Sequence, residues 1–494
     1  MRQAGVLMPV TSLPSRYGVG TMGAEARAFL RFLHEAKQTI WQVLPVGPTG
    51  YGDSPYQPFS SLAGNPYLID FDDLTAQSLL LPREYESLPW GSDPTCVDYG
   101  RLYELRLGVL ARAVDRLRVQ AATEFATFCA DQASWLDDYA LFMALKGRFQ
   151  GAPWSAWPDA YRLRDAQALA EVQQLLHNDI IHWKGIQYLF FTQWSALKSY
   201  AQSLGIQLFG DLPIYVAEDS ADVWASPEQF YLDDDLHPID VAGCPPDAFS
   251  ATGQLWGNPL YRWDYMKTEG YAWWIRRIAF QMRLYDMVRI DHFRGFDSYY
   301  AIPAGSADAT CGAWRTGPGI EFFNRMKEAL GELPIIAEDL GYLTPSALQL
   351  LADSGYPGMK VLAFAFDAGS GSNNSYLPHR YPTNSVAYVG THDNDTARGW
   401  LKTANPADVA FAKDYLKLTD AEGEVWGLMR GIWASPADIA VVQMQDLLEL
   451  GSEARTNTPA TLGNNWRWRA RPDYITAELT QRLAHYTKLY GRAL

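Results

Sequence analysis

Seven short apolar runs, each followed by a polar stretch rich in Gly and Pro, constrain this chain more than any other feature. They are "GVLMPV" (5–10), "IWQVLPV" (40–46), "IQLFGDLPIYV" (206–216), "MVRIDHF" (287–293), "PIIAEDL" (334–340), "MKVLAFAF" (359–366) and "SVAYVGTHD" (385–393). Such continuous runs mark strands buried on both faces, as in a parallel sheet covered by helices. Helical patterns fall between several of them. "EARAFLRFLHEAK" (25–37) has apolar residues at helical spacing. "TPSALQLLADSG" (344–355) opens with Thr344 as an N-cap and Pro345 at the first helical position. "SPADIAVVQMQDLLELG" (435–451) repeats that opening with Ser435 and Pro436, and Gly451 would cap its end. The alternation predicts a (β/α)8 TIM barrel, with the eighth strand near 452–458.

The runs are unevenly spaced. A mainly helical insertion at 70–185 follows the second strand, and "GRLYELRLGVLARAVDRLRVQ" within it is helical. A second insertion at 217–265 follows the third strand and reads as long loops with little regular structure. Loops this long in a compact protein are usually functional. Both follow strand ends, so both would roof the C-terminal face, where barrel enzymes keep their active sites.

Composition narrows the ligand. The net charge is −15 and no long basic run occurs, which argues against nucleic acid and membrane as partners. A neutral substrate is expected. Aromatic residues reach 14 %, with 18 Trp and 28 Tyr. Many lie in loop-like segments such as "YGDSPYQPF", "GQLWGNPLYRW" and "NNWRWR", where rings suit flat ligands with apolar faces, sugars above all. Cys96, Cys129, Cys244 and Cys311 are widely spaced and form no CxxC, which fits a reduced, cytoplasmic chain. The first apolar run is too short for a signal peptide and is broken by Pro9, and no stretch is long enough to span a membrane.

Acids recur at the ends of the expected strands. Asp211 follows "QLFG", Asp291 follows "VRI", Glu338 and Asp339 follow "PIIA", and Asp393 follows "YVGTH". One such acid is commonplace. Four strands ending this way bring carboxylates together on one face of one barrel, which is electrostatically costly and points to function. In "YDMVRIDHFRGF" the acid Asp291 stands among Arg289, His292 and Arg294. Alone, that stretch also reads as an ordinary strand-end ion pair. Arg289 and Arg294 are expected to hold the Asp291 pKa down, and the neighbouring negative charge to raise that of Glu338. One ionised and one protonated carboxyl flanking a bond is the requirement of glycoside chemistry. A metal site is the rival, since His292 and His392 each precede or follow an acid. Nothing has the spacing of a zinc site, and "GSGSNN" (369–374) lacks the Lys of a phosphate loop, so no metal and no cofactor is expected.

With these residues in view the chain resembles the 4-α-glucanotransferases called amylomaltases or disproportionating enzymes, glycoside hydrolase family 77 in the α-amylase superfamily. "GVLMPVTSLPSRYGVG", "QVLPVGPTGYGDSPYQPFSSLAGNPYLID", "GDLPIYVAEDSADVW", "GQLWGNPLYRW", "VRIDHFRGF", "IIAEDLG" and "GTHDNDT" occur in the family's order over essentially the whole chain. The resemblance implies a single barrel over 1–494 with no C-terminal β-sandwich domain. It implies Asp291 as nucleophile forming a covalent glycosyl ester, Glu338 as acid/base, and Asp393 as the acid that holds hydroxyls of the distorted donor sugar. Asp211, Arg289, His292 and His392 would support that subsite. Tyr56, beside Ser54 in "SPYQ", would stack on the donor. Gln254 and Trp256, with Phe249 in the same segment, match the loop covering the acceptor side. Tyr51 and Tyr99 resemble a secondary glucan-binding pair. The chain departs from the family near its C-terminal end, reading "ARTNTPATLGNNWRWR" where the family has Arg-Met-Asn-x-Pro-Gly and Gly-Asn-Trp. Asn457, Asn465 and Trp466 keep their places there.

What the resemblance implies is transfer of α-1,4-glucan segments from malto-oligosaccharide or amylose to glucose or another glucan, with cyclic glucan formation as an additional outcome. A monomer or weak homodimer is expected. A hydrolase of the same superfamily would carry the same acids and differ in its covering loops. A silent glucan-binding protein would have no need of all three acids.

Overall fold

The computed structural model describes residues 2–50, 52–246, 250–341, 343–367, 369 and 371–493. Tyr51 and Phe249, both named above, lie outside the described residues. The strands in chain order are β1 (Gln3–Leu7), β2 (Ile40–Gln42), β3 (Gln207–Leu212), β4 (Asp240–Cys244), β5 (Gln254–Pro259) and β6 (Met287–Ile290). They continue with β7 (Ser298–Pro303), β8 (Ala313–Thr316), β9 (Ile335–Ala337), β10 (Gly358–Val361), β11 (Ser385–Tyr388) and β12 (Ile439–Gln443).

Eight of these form one parallel sheet in the order β10-β11-β12-β1-β2-β3-β6-β9. The seam between its ends is short. Ala337 N–H donates to the Pro357 carbonyl at 2.9 Å, and the Asp339 carboxylate accepts from Met359 N–H at 2.5 Å. Asp339 is thus absorbed in closing the ring. A Cβ on Gly358 would meet its carboxylate at 2.7 Å, so the seam needs glycine there. The result is a (β/α)8 barrel. Alternate residues of its strands point inward: Leu7, Ile40, Phe209, Met287, Ile336, Met359, Val386 and Val441 share one interior cluster. Their neighbours Val6, Trp41, Leu208 and Val288 face the helices in a second, larger core. Both faces are dry, which is why the runs are apolar at every position.

The eighth strand is not at 452–458, where only a 3-10 turn (Ser452–Ala454) stands. It is β12, inside the segment expected to be a helix. Ser435 does not start that helix; its hydroxyl donates to the Ile432 carbonyl and ends the preceding helix, Glu424–Ala434. "IAVVQ" then pairs with β1 on one side and β11 on the other. β-Branched residues with partners on both edges settle as strand.

Between β2 and β3 stand helices including Tyr99–Gln120, Ala133–Arg148 and His177–Ser203. The last has 27 residues and feeds directly into β3, so residue 185 falls within a continuous rod rather than at a boundary. At Gly185 that rod meets Val114, whose side chain would lie 2.4 Å from an added Cβ. The segment 217–265, expected to be mostly loop, contributes β4 and β5 to an antiparallel sheet ordered β5-β4-β7-β8. The first and last parts of the chain are latched together. Arg492, fully buried, donates to the carbonyls of Gln3, Trp433 and Ala437. Arg2 donates to those of Trp433 and Ser435. Among the described residues no helix is long and apolar enough to cross a membrane, and no disulfide is present.

Candidate active site

The C-terminal ends of the barrel strands open into a cleft of about 1910 Å³, lined among others by Tyr56, Trp256, Asp291, Glu338, Asp393 and Trp466. Strand geometry aims the charged groups. Asp211 lies two residues after the inward Phe209, and Arg289 and Asp291 lie two and four after the inward Met287, so all three continue the inner face. Asp211 and Arg289 are also register partners across β3 and β6. The Arg289 guanidinium, 4 % exposed, ion-pairs with Asp211 and donates to Asp291 at 2.5 Å.

Glu338 follows β9. Both of its oxygens accept backbone N–H groups, from His292 at 2.7 Å and Leu340 at 3.0 Å. The His292 donor is aimed by a left-handed backbone (φ 49°, ψ 50°), unusual for a residue other than glycine. The chain therefore turns sharply just after Asp291, and that turn delivers an N–H to the second carboxyl.

The network continues outward from Asp211. Tyr56 donates its hydroxyl proton to Asp211 at 2.6 Å, and the same oxygen lies 2.9 Å from His392 Nε2. Tyrosine has one proton to give, so Nε2 of His392 carries the hydrogen and donates. His392 stacks on Tyr56 (ring centroids 5.2 Å apart, planes at 12°), which covers one face of the tyrosine. It also lies 3.3 Å from Asp393, and burial lowers its pKa, so it is neutral. Asp393 accepts from Asn457 at 2.6 Å, and its backbone carbonyl accepts from Arg455 at 2.5 Å. Behind this loop the buried Asp446 accepts from Ala397 N–H at 2.7 Å, at the start of the helix Ala397–Thr403.

The electrostatics differ from expectation at Asp291. Its pKa is pushed up to about 8, first by burial, with Glu338, Asp211 and Asp393 adding to the rise and Arg289 opposing it. Two causes were misjudged. Arg294, whose guanidinium lies 3.8 Å over the ring of Trp314, is not among the leading influences on Asp291. Arg289 is divided between two acids. The Asp291 side chain keeps 28 % exposure, so water in the open cleft tempers the burial. Glu338 is raised too, again chiefly by burial, against the pull of Arg289 and its two N–H donors.

The other expected residues divide. Ser54 accepts the Tyr56 N–H at 3.2 Å and shapes that turn. Trp256, its indole N–H donating to Gln254 at 3.1 Å, meets the His292 ring edge-on at 4.9 Å. Asn465 ties its own loop, accepting from Thr458 and donating to Thr461. Tyr99 is not placed to hold a second glucan: it is buried, and its hydroxyl donates to the Trp466 carbonyl. Asn457 and Arg455, which hold Asp393, were not among the expected site residues; the Asn of the C-terminal motif was the available signal. Among the described residues no group of three or more His, Cys, Asp or Glu is arranged to hold a metal ion.

The family model described as 4-alpha-glucanotransferase, glycoside hydrolase family 77, matches residues 8–476. The 4-alpha-glucanotransferase of Thermus thermophilus is 49 % identical over 98 % of this chain and 97 % of its own. That of Clostridium butyricum is 47 % identical over 98 % of this chain and all of its own. The amylomaltase of Streptococcus agalactiae, solved in complex with acarbose, superposes with a TM-score of 0.98 at 42 % identity, covering both chains in full.

Proposed function

This chain belongs to the 4-alpha-glucanotransferases of glycoside hydrolase family 77, and from that premise we propose a retaining transfer of α-1,4-glucan segments through a covalent ester on Asp291. The donor is a malto-oligosaccharide or amylose. The acceptor is the 4-hydroxyl of glucose or of another glucan; when it is the far end of the donor itself, a cyclic glucan results.

Asp291 and Glu338 sit in one cleft, burial raises the pKa of both, and the proposed reaction needs one of the two protonated. The proton belongs on Glu338, because Asp291 has the direct ion pair with Arg289. A donor sugar seated among Tyr56, His392 and Asp393, with the buried Asp211 bracing Tyr56 from behind, presents its anomeric carbon to Asp291. The carboxylate oxygen bonds to that carbon while the glycosidic C–O bond breaks and Glu338 gives its proton to the departing oxygen. The shortened chain leaves with a new 4-hydroxyl. An acceptor 4-hydroxyl then attacks the ester carbon, Glu338 takes its proton, and Asp291 departs as carboxylate. Two inversions give net retention. Asp393, 39 % exposed and steadied by Asn457, is free at its outer edge to hold sugar hydroxyls as the ring flattens.

The observation that carries this reading is the pairing of two carboxyls with different partners, one on a guanidinium and one on two backbone N–H groups. Incubation with maltotriose tests it. Both shorter and longer oligosaccharides are expected; a product ladder containing only shorter sugars would replace the transferase by a hydrolase.

A further inference from the structure

We propose that Trp314 and Arg294 form an additional sugar subsite, at the distal end of the acceptor side, that favours long acceptors over glucose. The inference rests on the transfer reaction above and adds a recognition element to it.

Trp314 stands on β8, a strand whose four residues are all exposed. No core packing accounts for a tryptophan there. Its side is fixed nonetheless: Tyr300, its register partner on β7, meets it edge-on at 5.2 Å, and the Arg294 guanidinium lies 3.8 Å over its ring. The residue is 41 % exposed and lines the cleft, as do Arg294 and Ser298 beside it. An oriented, partly exposed indole is suited to a sugar: one ring face is held by the Arg294 guanidinium, and the other can pack on the apolar face of a glucose unit.

The position assigns it to the acceptor side. Glu338, which hands its proton to the leaving oxygen, marks that side. Ser346, on the segment that follows Glu338, donates to Asp297 at 3.0 Å, three residues from Arg294. The tyrosine, histidine and Asn457 that gather around Asp393 lie on the other wall. Within the antiparallel sheet, β8 is three strands from β5, which carries Trp256. At strand spacings of about 4.8 Å that is roughly 14 Å, farther than one glucose ring reaches. Glucose would engage the groups near Glu338 and Trp256 only. A longer acceptor would extend to Trp314.

The test is the ratio of kcat/KM for maltotetraose to that for glucose as acceptor, each labelled, with one donor held saturating. In Trp314→Ala the ratio is expected to fall about five- to tenfold, the usual worth of a lost ring contact. Trp314→Phe, which keeps a ring, should restore most of it. An unchanged ratio in Trp314→Ala, with transfer intact, overturns the subsite. A ratio that falls equally in Trp314→Phe and Trp314→Ala also overturns it, since the loss would then come from disturbing β8 rather than from stacking. Failure of the wild-type enzyme to transfer to either acceptor would instead sink the parent reaction.

Discussion

The two walls of the cleft are built on opposite plans. The wall around Asp211, Tyr56, His392, Asp393 and Asn457 is built from barrel strand ends and the loops that follow them, and its polar groups are joined by hydrogen bonds. The wall around Trp256 and Trp314 grows from an antiparallel sheet whose last strand is exposed throughout, with Arg294 reaching it from the turn after β6. Its rings are held by other rings and by a guanidinium. The first plan suits a sugar that must be distorted the same way each time. The second suits chains of varying length, met through faces rather than through fixed hydrogen bonds.

The largest expected effect lies where the walls meet. Asp291→Asn should lower kcat by on the order of 10⁴-fold or more while the thermal transition stays close to that of the parent. Glu338→Gln should fail on glucans yet retain the first step with an α-glucosyl fluoride, whose leaving group needs little proton help. A mechanism-based 5-fluoro sugar should label Asp291; a label on Glu338 or Asp393 would reverse the assignment.

A matched pair of substitutions then sets the walls against each other. Tyr56→Phe deletes one hydroxyl shared by Asp211 and His392. Bonds to charged groups are worth about 1.5–3 kcal/mol, so kcat/KM should fall roughly 10- to 100-fold for transfer and hydrolysis alike. Trp256→Ala should shift the partition instead, raising hydrolysis relative to transfer roughly three- to tenfold, because water competes better for the ester when the acceptor is poorly held. Reducing ends gained against glucose transferred measures both. If Trp256→Ala lowered both rates in parallel, the contrast between the walls would collapse.

The smallest effect probes the support behind the first wall. Burial pushes Asp446 up to about 7, and Asp395 adds to the rise. An unfolded Asp titrates near 3.9, so between those values the folded chain holds the extra proton. Its stabilising contribution is therefore complete below about pH 4 and is lost as pH rises through 7. Asparagine imitates the protonated form at every pH. The Tm of Asp446→Asn minus that of the parent should thus grow by a few degrees between pH 5 and pH 8. A difference that stays flat would mean that Asp446 is ionised throughout, in which case the wall is braced by a charge.

Most of the barrel was legible because parallel strands leave a plain trace: with a core on each side, every position must be apolar. The trace failed at β12, where a serine and a proline imitate a helix start but the serine is spent on the helix before it. It failed for the antiparallel sheet because β8 buries nothing and leaves no pattern. Asp211, Asp291, Glu338 and Asp393 could be found because they follow apolar runs. Arg455, one partner of Asp393, could not, since it comes from a distant loop with no periodicity, and Asn457 was visible only through the C-terminal motif. The direction of the Asp291 pKa shift was misjudged for a related reason. Sequence neighbours are visible in a string, but the three other acids that crowd it arrive from other strands.

The latch between the ends of the chain bears on how the protein is made. β1 leaves the ribosome long before its partner β12 and the clamp at Arg492. At about 5–20 residues per second, the interval is on the order of half a minute. Throughout it, β1 has one unpaired edge, and neither the carbonyls that receive Arg2 nor Arg492 itself yet exists. The barrel cannot be completed strand by strand during synthesis; the ring closes after nearly all of it has been translated, and the catalytic cleft is assembled in that same late step.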